Sequence, residues 1–252
     1  MRQKWLGTGG LLGLVLLSAC SQNIEGNNHL PDEEAAAEIN LQLGVEYMRR
    51  GRNDIALNRL TKALKLDNNY ADAHNAIAVL YERLGLNADA ERHYQKAVAL
   101  KPNGSDIYNN YGQFLCKQKQ WEEANQAFLK ALENPVYQTP EIPYTNAGLC
   151  ALHNNNTSQA ETYFRQALQS NPKFARALYQ MAQLNYEQKH YQTARDYLTR
   201  YESVAEDTPE TLWLGIRMAR EQNKPEVEAN YVHRLRRNFP DAVQTQLLNR
   251  SE

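Results

Sequence analysis

A period of about 34 residues runs through this chain and restricts its fold more than any other feature. The steps between Gly44, Ala78, Gly112, Gly148, Ala182 and Gly215 are 34, 34, 36, 34 and 33. Twelve positions after each stands Ala56, Ala90, Ala124, Ala160, Ala194 or Val227. Four further on come Leu60, Tyr94, Phe128, Phe164, Leu198 and Tyr231. Three beyond those are Ala63, Ala97, Ala131 and Ala167, before the register loosens to Tyr201 and Arg234. Pro102, Pro172 and Pro240 close units, with Pro135 one position early and Asn68 in the first unit's place. The pattern predicts helical hairpins. Small residues let helix A approach helix B, a Leu or aromatic ring fills the space beside them, and proline separates one unit from the next. Stacked hairpins bury a strip between neighbours rather than a ball. The composition agrees: only 42% of the residues are apolar and the mean hydropathy is −0.72. Yet 15 Tyr and 23% charge are not the composition of a disordered chain.

This pattern resembles the tetratricopeptide repeat, in six units near 37–70, 71–104, 105–140, 141–174, 175–207 and 208–241. The resemblance implies an all-α, right-handed superhelical solenoid over residues 35–241, with 242–252 as a C-terminal tail. The one longer step, of 36, places two extra residues in Asn134–Pro143, which holds three prolines. They read either as a hinge between units 1–3 and 4–6 or as a tolerated loop insertion.

The N-terminus reads as an address. Arg2 and Lys4 precede the apolar run Leu11–Leu17, which is too short to span a membrane. Leu17-Ser18-Ala19-Cys20 resembles the lipobox of bacterial lipoproteins, so residues 1–19 are expected to be a signal peptide and Cys20 to carry a covalent lipid. The alternative is an ordinary signal peptide with a chance cysteine. Cleavage before Cys20 removes Arg2 and Lys4 and takes the formal side-chain charge from −1 to −3. Several buried acyl chains, at about 0.8 kcal/mol per methylene, anchor a soluble domain durably. By analogy with lipoprotein sorting, Ser21 favours the outer membrane, and residues 20–34, polar and rich in Asn up to Leu30, are expected to form a tether.

Other function classes find little support. Lys plus Arg (28) balances Asp plus Glu (29), so no nucleic-acid partner is expected. There is no Walker loop, nucleotide-binding glycine fingerprint, HExxH or Gly-x-Ser-x-Gly. His29, His74, His93, His153, His190 and His233 are dispersed without metal-site spacing and read as solvated or interhelical side chains. Glu33-Glu34 and Glu122-Glu123 stand where helices begin and carboxylates suit the helix dipole. An enzyme is not expected, nor a metal, nor any cofactor apart from the lipid on Cys20. A monomer is expected, since no exposed heptad is evident.

Cys116 and Cys150 fall on the A helices of successive units, in a chain destined for an oxidising compartment. They read as a disulfide, or else as two buried free thiols. If A helices line a concave face, Leu41, Val45, Met48 and Val79 form an apolar stripe able to receive an amphipathic helix or extended peptide. A cap segment at Pro31–Ala37 could instead cover that stripe. Asn75 and Asn109 share one repeat position, and Asn110 and Asn146 the next. Such amides could pair with a bound peptide backbone or with neighbouring helices.

Four blocks go beyond repeat consensus: Tyr108–Cys116 (YNNYGQFLC), Trp121–Ala124 (WEEA), Asn146–Leu152 (NAGLCAL) and Leu214–Ala219 (LGIRMA). With the lipobox and the six-repeat length, they resemble the type IV pilus biogenesis and stability lipoproteins, or pilotins, over nearly the whole chain. That resemblance implies an outer-membrane, periplasm-facing lipoprotein that binds secretin subunits and promotes their localisation and multimerisation. It also implies loss of surface pili, twitching motility and natural transformation when the protein is missing. Binding by the N-terminal repeats carries over, by repeat position, onto Leu41, Val45, Met48 and Val79. The competing reading is a general periplasmic tetratricopeptide scaffold lipoprotein for cell-envelope assembly.

Overall fold

The computed structural model describes residues 31–250, and among them the chain is all helix. Unit 1 pairs α1 (Pro31–Arg49) with α2 (Asn53–Leu66), and unit 2 pairs α3 (Ala71–Arg83) with α4 (Asn87–Leu100). Units 3 and 4 are α5 (Ser105–Lys117) with α6 (Trp121–Leu132), and α7 (Glu141–His153) with α8 (Thr157–Ser170). Units 5 and 6 are α9 (Ala175–Glu187) with α10 (Tyr191–Glu202), and α11 (Pro209–Glu221) with α12 (Pro225–Asn238). A short α13 (Val243–Arg250) follows. The odd-numbered helices of neighbouring units pack on one another as well as on their own partners, giving a right-handed superhelical solenoid.

The repeated residues do what their sizes require. A Cβ added to Gly112 would stand 2.8 Å from the Phe128 ring, and one added to Gly148 2.5 Å from that of Phe164. Glycine is therefore the helix A residue that admits a ring there. Leu60, Tyr94, Phe128, Phe164 and Leu198 are buried in successive units, as are Ala56, Ala90, Ala124, Ala160 and Ala194. In unit 6 the last of the repeated small positions holds Arg234, and ion pairing replaces packing. Its guanidinium donates to Asp207 and, at 3.2 Å, to Glu202.

Each A helix ends in the same turn. Gly51, Gly85, Lys119, Asn155, Lys189 and Asn223 take positive φ, between 52° and 76°. The next residue returns an N–H to the carbonyl five positions back, as from Arg52 to Tyr47 and from Gln120 to Leu115 (both 2.9 Å). This is a Schellman-type closure, which satisfies helix-end carbonyls and reverses the chain into helix B.

Both ends extend further than the sequence reading placed them. Residues 31–34, assigned above to the tether, form the first turn of α1, where proline is accepted because its missing N–H has no helical partner. The supposed tail contains α13, which packs on α11 with Thr245 and Leu248 buried. Thr245 and Leu248 stand one repeat after the buried Thr211 and Leu214, so α13 lies in the register of a further helix A. At the longest step of the repeat, residues 133–140 connect α6 to α7, and Tyr137 donates its hydroxyl proton to Asp106 Oδ1 at 2.8 Å.

Candidate functional site

Helices α3, α4 and α5 of units 2 and 3 border a groove of about 460 Å³. Val79 forms part of its floor, with Glu82, Arg83, Tyr94, Asn110 and Lys117 around it. Helix periodicity explains the arrangement. Val79, Glu82 and Arg83 lie on one side of α3, and Lys117 follows Arg83 by one repeat. Glu82 is the electrostatic centre. Its carboxylate accepts the Tyr94 hydroxyl at 3.0 Å and the Lys117 ammonium at 2.6 Å. Burial, and then the Glu82 charge, raise the pKa of the Tyr94 phenol far above its ordinary value. Arg83 donates to the Met48 carbonyl at 2.5 Å, placing a cation on the last turn of α1, where the helix dipole favours it. The groove thus sets Val79 among fixed charges of both signs and side-chain amides.

The predicted stripe is narrower than its spacing suggested. Val79 lines the groove. On α1, Leu41 is half-buried and Val45 is exposed. Met48, by contrast, is only 6% exposed and packs with Leu60, Ile77 and Leu80. It belongs to the core because the last turn of α1 is where α3 of the next unit closes over it. Residues 31–37 continue straight into α1 and so are not a separate flap over the stripe.

The asparagines face one another. Asn110 donates to Asn75 Oδ1 at 3.3 Å, and Asn146 to Asn109 Oδ1 at 2.9 Å. Arg176 in turn donates to Asn146 Oδ1 at 3.1 Å. Asn109 and Asn146 are buried. These amides join units 2, 3, 4 and 5, and of the four only Asn110 lines the groove. Cys116 on α5 and Cys150 on α7 are joined by a disulfide, with Cα atoms 5.8 Å apart. Tyr163 also donates its hydroxyl proton to Asn125 Oδ1 at 2.5 Å, from unit 4 to unit 3. Covalent and polar links therefore cross the junction at which the sequence allowed a hinge.

Arg83, Tyr94 and Lys117 were not singled out as groove residues from the sequence. The one-repeat spacing of Arg83 and Lys117 was a usable signal; Tyr94 read only as a core filler. Cys20 lies outside the described residues. Among those residues no group of three or more His, Cys, Asp or Glu could hold a metal ion, and no helix is long and apolar enough to cross a membrane.

Tetratricopeptide-repeat family profiles match residues 41–105, 93–126 and 151–212. The chain is 33% identical over 234 residues to the type IV pilus assembly protein PilF of Pseudomonas aeruginosa, covering 92% of this chain and 93% of that protein. Its fold is similar to a solved structure of P. aeruginosa PilF, with a TM-score of 0.76 and 32% identity, covering 88% of this chain and 100% of that one. It is also similar to the structure of PilW, described as a widely conserved type IV pilus biogenesis factor, with a TM-score of 0.75 and 30% identity. That match covers 84% of this chain and 97% of the PilW chain. With its repeat architecture, its groove and this similarity along almost its whole length, the chain belongs to the tetratricopeptide-repeat family of type IV pilus biogenesis proteins.

Proposed function

We propose that this protein is an outer-membrane lipoprotein, anchored through Cys20 and facing the periplasm, that binds secretin subunits and promotes their localisation and multimerisation for type IV pilus biogenesis. The observation carrying this reading is the 33% identity over 92% of the chain to a type IV pilus assembly protein. The groove supports it chemically. An amphipathic segment of the secretin would lay apolar side chains on Leu41, Val45 and Val79 and its polar flank against Glu82, Arg83 and Lys117. The lipid supplies the address and the groove holds the cargo; no covalent bond is made or broken. Deleting the gene and blotting unheated outer membranes for secretin multimers tests the proposal. Multimers should be lost together with surface pili, and normal multimers with normal piliation would overturn it. Cys20→Ala should leave secretin subunits outside the outer membrane; full outer-membrane localisation in that variant would refute the lipid-address step.

A further inference from the structure

Unit 2 contains a histidine pair that the groove does not use. His74 on α3 is buried, His93 on α4 is half-buried, and their Nδ1 atoms are 2.9 Å apart. His74 Nε2 lies 3.1 Å from the Asn68 carbonyl oxygen. A carbonyl only accepts, so His74 Nε2 carries the proton and His74 Nδ1 accepts from His93 Nδ1–H; a cation between the two Nδ1 atoms would take that proton's place, and the proton would move to His93 Nε2. We propose that His74 and His93 together bind one late first-row divalent cation, Cu2+ in preference to Zn2+, through both Nδ1 atoms.

The geometry suits it. Two imidazole nitrogens at about 2.0–2.1 Å from a metal, subtending an angle near 90°, stand about 2.9 Å apart. The two rings, tilted by 38° with centroids 5.0 Å apart, need only re-aim and not separate. The Asn68 carbonyl behind His74 is the kind of outer partner that fixes the tautomer and orientation of a ligating imidazole. Charges of both signs lie nearby: Lys96 acts on His74 more strongly than Asp67 does, and Arg92 on His93 more strongly than Asp89, so a bound cation must overcome a small net repulsion. Among the described residues no third His, Cys, Asp or Glu completes a cluster, so water would have to fill the remaining positions of a bound ion. A right-angled nitrogen pair with water beyond it matches tetragonal Cu2+ better than the closed tetrahedron of structural zinc, and nitrogen donors disfavour Mg2+ and Ca2+. The ligands come from two helices, so the ion would clasp α3 to α4.

Titration of the full chain in detergent with Cu2+, with Mg2+ as control, tests the site. One Cu2+ should bind per chain, raise Tm and show two imidazole nitrogens in its electron paramagnetic resonance spectrum. In His93→Gln, whose position is half-exposed, affinity should fall at least tenfold, the Tm rise should vanish and the two-nitrogen signature should be lost. A circular dichroism spectrum unchanged from the parent establishes that this variant is folded. Cu2+ bound equally by His93→Gln, or no binding by the parent chain at a tenfold excess of metal, would overturn the proposal.

Discussion

Replacing Cys116 and Cys150 together by Ala tests what holds the centre of the array. The disulfide closes a loop of 34 residues that contains α6 and the long connection into α7. For such a loop the chain-entropy relation gives about 12–13 cal/mol/K, or about 3.8 kcal/mol at 25 °C, as the upper limit of its effect on the unfolded state. Measured disulfides commonly deliver about 2–4 kcal/mol. The amide links and the Tyr163–Asn125 hydrogen bond remain in the variant. A loss of about 2–4 kcal/mol is therefore expected, centred on units 3 and 4. In a solenoid a local loss also weakens cooperativity between the units on either side. Urea unfolding followed by circular dichroism should thus show a lower midpoint and a broader or two-step transition. Trp121 on α6 and Trp213 on α11 provide fluorescence probes in different units, read one at a time in Trp→Phe backgrounds. The Trp121 transition should move first. A variant within about 0.5 kcal/mol of the parent, the spread of neutral surface substitutions, with both probes still coincident, would show that the loop-entropy argument does not describe this junction.

Three smaller perturbations follow from the helix geometry and the histidines. Gly148→Ala gains about 1 kcal/mol of helix propensity but drives a methyl group to 2.5 Å from the buried Phe164 ring, an overpacking worth about 1–3 kcal/mol. A net loss near about 1 kcal/mol is expected in urea titration, and a gain would refute the close-approach argument. Lys119→Gly and Lys189→Gly remove exposed side chains from left-handed positions at φ 63° and should each stabilise by about 0.5–1 kcal/mol, with unchanged or lower midpoints counting against it. Burial, then the charge of His74, hold His93 at about 4, below its ordinary 6.5, and His74 is shifted the same way. The unfolded chain therefore binds more protons than the folded one between about pH 4 and 6.5, so stability is full above that window and falls as the pH drops through it. In metal-free buffer, His93→Gln should flatten the pH dependence of the urea midpoint; an unchanged slope would place the effect elsewhere.

The hairpin fold was legible because its contacts are local and repeated. Each Gly or Ala meets the large side chain sixteen positions on in its own unit, as Gly112 meets Phe128, so one period exposes the same contact in unit after unit. Interactions between units were harder to read. Leu41, Val45 and Met48 share a helix face by spacing, but depth along the helix decides that Met48 is covered by α3 while Val45 is not. The asparagines pair diagonally, across separations of 35 and 37 residues, so aligning them at equal repeat positions concealed the partners. Lys119 and Lys189 carry no compositional sign of a left-handed turn. Only their register with Gly51 and Gly85 reveals it. In α13, Thr245 and Leu248 repeat Thr211 and Leu214, but two matching positions on one short helix are too few to mark a repeat, and the segment passes for a tail.

The amide and disulfide links also have a mechanical meaning. A curved rod changes its radius only by altering the spacing of its inner wall relative to its outer wall. Along this inner wall, the links from Asn75 to Arg176 and between Cys116 and Cys150 pin the spacing through units 2–5. A bending load on the array would therefore deform it least at its middle. Side-chain links hold the outer junctions, Arg83 to the Met48 carbonyl at unit 1 and Arg234 to Asp207 and Glu202 at unit 6, whereas the middle adds a covalent bond to its amides.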